Sequence, residues 1–72
     1  MQSADYLRFP YHRIIEPDEG GSWSAHVLEL DGVFSEGKTA AEAAQNLNAA
    51  MALWIDHELA EGHPIPRPLA AS

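Results

Sequence analysis

The run from Gly20 to Glu42, GGSWSAHVLELDGVFSEGKTAAE, restricts the fold more than any other part of the chain. Two adjacent glycines precede an alternating segment, a Leu30-Asp31-Gly32 break, and a second short segment that ends at Gly37. A helix start, Thr39-Ala40-Ala41-Glu42, follows. Gly20 and Gly21 permit the positive φ angles of a tight hairpin turn. Gly32 and Gly37 bracket a strand too short to be stable alone. Thr39 and Glu42 have the spacing of a capping box, in which each side chain satisfies an orphan backbone N–H at the helix start.

Residues 1–7 read as a loose lead-in. Phe9 to Glu16 reads as a first strand, with Phe9, Tyr11, Arg13 and Ile15 on one face and His12 and Ile14 on the other. Pro10 puts the beginning of that segment at an edge or outside the ladder. Pro17-Asp18-Glu19-Gly20-Gly21 is a turn by composition. The second strand runs from about Ser22 to Leu28, with Trp23, Ala25 and Val27 on one face and Ser24, His26 and Leu28 on the other. The third covers Val33 to Glu36. From Thr39 to about Glu61 there is neither Pro nor Gly, and alanine is abundant, so the chain forms a long helix. Ala40, Ala43, Ala44, Leu47, Ala50, Met51, Trp54 and Ile55 share one stripe, with Met51 and Trp54 expected to be buried against the sheet. Glu42, Gln45, Asn46 and Asp56 fall largely opposite. Gly62 sits where a C′ glycine belongs, and Leu53 lies off the stripe, where it asks for an external partner. His63-Pro64-Ile65-Pro66-Arg67-Pro68 cannot continue the helix. It reads as an extended edge segment with Ile65 anchored on the sheet, or as a polyproline ligand. The expected architecture is α+β, β-β-β-α-β: one domain, a small antiparallel sheet covered on one face by one long helix.

Seventy-two residues bury only about 60% of their unfolded surface, and no cysteine is present to staple the fold. Sheet–helix packing and oligomerisation are the means left, and a homodimer or higher symmetric oligomer is expected, with Leu53 and Ile65 as interface candidates. Four basic residues against eleven acidic ones give a net charge of −7. That opposes binding to a phosphate backbone, which Lys and Arg usually drive, and suits a basic partner. It also simply keeps a small protein in solution. The first ten residues lack the pattern of a signal peptide, and the longest apolar run, Ala49–Ile55, is too short to span a bilayer, so a cytoplasmic location with no membrane is expected.

Candidate chemistry is thin. His57-Glu58-Leu59-Ala60-Glu61 approaches the His-Glu-x-x-His zinc motif but carries Glu61 at the second histidine's position; a solvated helix end explains it. His12 and His26 lie on adjacent strands and could face each other in one hairpin register, as a metal or pH-sensing pair or as plain surface residues. Ser24, His26 and Asp31 have the residue types of a nucleophilic triad without a nucleophile elbow or oxyanion hole. No catalytic residue, metal or cofactor is expected. Trp54 reads as a packing residue, and Trp23, after the hairpin turn, as a half-buried residue open to a partner.

The ordered series Gly-x-Trp-x-Ala, Leu-x-Gly and Gly-x-Thr-x-x-Glu-Ala, from about Tyr11 to Pro66, resembles the HicB family of prokaryotic antitoxins. Leu28 and Val33 stand where many relatives carry proline and cysteine. The resemblance implies a pared-down ribonuclease H topology, also similar to the double-stranded-RNA-binding fold. Glu16 and Glu29 do not form the carboxylate cluster that ribonuclease H chemistry needs. The family's usual C-terminal DNA-binding domain has no counterpart up to Ser72, so direct DNA or RNA binding is not expected. The resemblance further implies an antitoxin of a type II toxin–antitoxin system, which neutralises a HicA-like mRNA-cleaving toxin by covering its basic RNA site. The candidate contacts are Asp18, Glu19, Glu29, Asp31 and Glu36, with Trp23 as an apolar anchor. The alternative is an orphan HicB-like homo-oligomeric interaction or ligand-binding module without a toxin.

Overall fold

The computed structural model describes residues 2–69. Five elements follow in order: α1 (Ser3–Leu7), β1 (Arg13–Pro17), β2 (Trp23–Val27), β3 (Phe34–Gly37) and α2 (Ala40–Ala60). The strands form one antiparallel sheet in chain order, β1-β2-β3, and α2 packs across it. This is the three-stranded sheet and long covering helix that the sequence predicts.

The β1–β2 turn closes where Asp18 N–H donates to Ser22 O at 2.7 Å and Gly21 N–H donates to Asp18 O at 3.2 Å. Gly21 has φ +86°, a conformation that costs a side-chain-bearing residue but not glycine. Register then sets the faces. Arg13, Ile15 and Pro17 pair with Val27, Ala25 and Trp23, and Trp23 and Ala25 pair in turn with Gly37 and Ser35. Cross-strand partners share a face, and Ala25 and Val27 are buried, so this is the face that α2 covers. The opposite face carries Ile14, His26 and Phe34 in one row and Glu16, Ser24 and Glu36 in the next.

The core joins Ala25, Val27, Leu30 and Val33 of the sheet and its second turn to Ala43, Leu47, Met51 and Ile55 of α2, with Tyr11 at one end. The four helix residues are spaced four apart, one row along one side of the helix. The end of β3 sits flush on the first turn of α2. A Cβ on Gly37 would lie 2.5 Å from Ala43 N, so only glycine fits without displacing backbone. Around that contact Ser35 Oγ donates to Ala43 O and Asn46 Nδ2 donates to Glu36 O, both at 2.7 Å. Thr39 caps the helix by accepting Glu42 N–H at Oγ1. The Glu42 carboxylate, however, accepts from Lys38 N–H, one residue before the position a capping box predicts.

Four expectations are corrected. The lead-in contains a short helix, α1, in which Gln2 N–H donates to the Asp5 carboxylate. It packs on α2, and Tyr6 meets Phe9 edge-to-face with ring centroids 5.5 Å apart. The first strand begins at Arg13 rather than Phe9, because Pro10 lacks an N–H and the Phe9 carbonyl is taken by Tyr11 N–H in a local turn. Residues 63–69 form no strand: Pro64, Pro66 and Pro68 each lack the N–H a ladder needs. Trp54 is half-buried rather than enclosed, with its Nε1 3.9 Å from where a Gly32 Cβ would stand.

The tail is nonetheless tied down. Tyr11 Oη donates to Pro66 O at 2.6 Å, the Arg67 guanidinium lies 5.4 Å from the centre of the Phe9 ring, and Ile65 packs half-buried against the core.

Candidate functional site

No pocket opens among the described residues, so the surfaces to weigh are faces and edges. The open face of the sheet is the most distinctive of these. It combines apolar groups left in water with carboxylates gathered at one end.

Phe34 is 71% exposed and Leu28 is 52% exposed. Phe34 occupies the middle row with Ile14 and His26. Leu28 extends β2 beyond its last residue, its N–H donating to His12 O at 2.9 Å, so it alternates onto the same face one row further. The row on the other side is Glu16, Ser24 and Glu36. Asp18 and Glu19, in the β1–β2 turn beyond that row, are both exposed. The sheet therefore has an acidic end. Within its strands the open face has no Lys or Arg: Arg13, the one strand cation, is in register with Val27 on the helix side. Lys38 follows at the foot of α2.

The six candidate contacts separate into groups. Asp18, Glu19 and Glu36 come together at the acidic end, where Glu16 joins them. Asp31 is exposed in the β2–β3 turn, at the opposite end of β2. Glu29 is not a free surface acid: its side chain is 2% exposed. It accepts His12 N–H at 2.9 Å, His12 Nδ1 at 2.8 Å and Leu69 N–H at 2.8 Å. Burial pushes its carboxyl up, but these hydrogen bonds, led by the His12 side chain, outweigh burial and hold it at about 2. Trp23 points to the helix side and packs half-buried against the core, so it is a packing residue. Phe34 takes the place of exposed aromatic. Its signal was the alternation itself: with Val33 and Ser35 turned inward, Phe34 must face out.

Of the interface candidates, Leu53 stands 73% exposed on the outer side of α2, whereas Ile65 is spent on the core. His12 and His26 do not face each other, since His26 pairs with Ile14 and His12 with Glu29. Near the helix end His63 Nδ1 contacts the Glu58 carboxylate, and no group of three metal-ligating side chains converges among the described residues. Burial raises the Tyr11 phenol above its ordinary range, with Tyr6 adding to the shift and Arg67 opposing it. No helix among the described residues is long and apolar enough to cross a membrane.

The outer edges of the sheet differ. Hydrogen bonds in an antiparallel pair alternate. With Leu28 to His12 and Asp18 to Ser22 fixing the phase, Arg13 and Ile15 turn their backbone groups to the free edge of β1. On β3 the corresponding Glu36 carbonyl is capped by Asn46 of α2.

A UPF0150 protein of Synechocystis sp. is 34% identical to this chain over 59 residues, covering 82% of this chain and 75% of that protein. No solved structure gives a significant match. A family model described as UPF0150-like matches residues 1–66, through the whole sheet, the helix and the first part of the tail. The chain belongs to the UPF0150-like family.

Proposed function

We propose that this chain is a HicB-like antitoxin domain. It binds a small, basic, HicA-like mRNA-cleaving toxin in the cytoplasm and neutralises it by covering its RNA site. The observation that carries the reading is the acidic end of the sheet, where Glu16, Asp18, Glu19 and Glu36 gather on a chain of net charge −7. Carboxylates in that number offer a basic RNA groove a substitute for phosphates, and opposite fields speed the encounter. The role needs no catalytic group, cofactor, membrane or direct contact with DNA or RNA. The resemblance of the sequence to HicB antitoxins supports the same reading.

The test is co-expression with the product of the adjacent gene, scored by growth rescue and by recovery of the complex. A bound, growth-arresting, Lys- and Arg-rich neighbour is the expected result. A folded chain that captures no neighbour product overturns the reading. A second reading, an orphan homo-oligomeric module, draws on Leu53, which is 73% exposed on α2. Light scattering distinguishes it: a self-associated mass that Leu53→Ser reduces to a monomer, in a chain without a neighbouring toxin, favours the orphan module.

A further inference from the structure

We propose that the open face of the sheet is the docking surface for a basic protein, with Phe34 as its apolar anchor and Glu16 and Glu36 as paired anionic contacts. The proposal rests on the antitoxin reading and states which side of the domain meets the toxin.

Three observations lead there. A phenylalanine 71% exposed in the row Ile14-His26-Phe34, with Leu28 beside it at 52%, is apolar surface the fold leaves uncovered, since α2 lies on the other face. Exposed aromatics of this kind serve as interface hot spots when a partner desolvates them. The adjoining row holds Glu16 and Glu36 on the two outer strands, on either side of Ser24, so an approaching surface meets two carboxylates at once. Finally, no Lys or Arg shares the face within the strands.

The last point decides the occupant. Two copies stacked through this face would match apolar rows but would desolvate four carboxylates against strands that present no Lys or Arg on that side, an arrangement that is strongly unfavourable. A basic protein supplies the missing charge. β1 and β2, five residues each, span about 16 Å, so the face makes the centre of an interface, and the exposed turn acids Asp18 and Glu19 form part of its rim.

The experiment measures affinity and association rate of the full chain for the basic product of the adjacent gene. Variants are Phe34→Ser, the double reversal Glu16→Lys/Glu36→Lys, and Asn48→Ala as a control at an exposed position of α2. Circular dichroism and light scattering are recorded for each. Phe34→Ser is expected to weaken binding about thirty-fold or more. The double reversal should slow association and flatten its salt dependence, and Asn48→Ala should leave affinity within about threefold. If wild type binds but Phe34→Ser and the double reversal bind as tightly, the docking face is wrong and the antitoxin reading stands. If wild type binds no neighbour product, the reading fails and the proposal falls with it. A Phe34→Ser chain that drops from a dimer to a monomer assigns the face to a second copy and overturns the proposal. Should Phe34→Ser lose its helical signal, the double reversal decides alone.

Discussion

Glu29 shows how one side chain changes meaning between sequence and fold. In the sequence it stands among surface acids; in the structure its carboxylate accepts two bonds from His12 and one from Leu69. Those partners lie 17 and 40 residues away in the chain, and no local pattern could announce them. The consequence for stability follows from linkage. An unfolded Glu29 titrates near 4.5 and the folded one near 2. Above the unfolded value the stabilisation is fully present; as pH falls the unfolded state takes up the proton first, and the contribution is lost by the time pH passes the folded value. Glu29→Gln should therefore be less stable than wild type near neutral pH, with the gap narrowing on acidification through that window. Urea midpoints for both proteins across acid pH check this, and a gap that stays constant refutes a stabilising role for the Glu29 hydrogen bonds.

The long helix was the most legible element, because its start, stop and buried stripe are all written within a few residues of where they act. Thr39 caps it, and Gly62 follows its end with φ +73°. Ala43, Leu47, Met51 and Ile55 are buried as the spacing requires. What the stripe could not show was its margin. Trp54 belongs to the stripe yet lies half-buried at the β2–β3 turn, because sheet width, not helix periodicity, sets how far cover extends. Met51→Ala should accordingly cost about 2–5 kcal/mol, and Trp54→Ala less than the ~3–5 kcal/mol of an enclosed aromatic. Thr39→Ala should cost about 1 kcal/mol. Chemical denaturation checks the order, and a Trp54→Ala loss larger than that of Met51→Ala would show that the tryptophan is enclosed after all. The short α1 escaped the sequence for the opposite reason: its five residues owe their place to packing on α2 and the Tyr6–Phe9 pair, a tertiary effect.

At the scale of the whole molecule, strand order equals chain order and α2 packs most closely on the strand just before it, so the sheet and helix assemble from neighbours. Such local assembly is why the punctuation between Gly20 and Glu42 foretold so much of the architecture. The open face was harder to read. Alternation said which residues share a side, but the turn acids and Glu36 become one end of a surface only once register is fixed. The tail belongs to neither regime. Its described residues are held by Tyr11 to Pro66 across 55 residues and by Glu29 to Leu69 across 40, with no ladder bond among them. Few bonds held at long range make it a separate opening unit, able to peel away while Leu47 and Met51 stay enclosed. In hydrogen exchange the Leu69 amide should lose its proton through a low-energy local opening, at a rate that Tyr11→Phe accelerates. The amides of Leu47 and Met51 should exchange only when the entire domain unfolds.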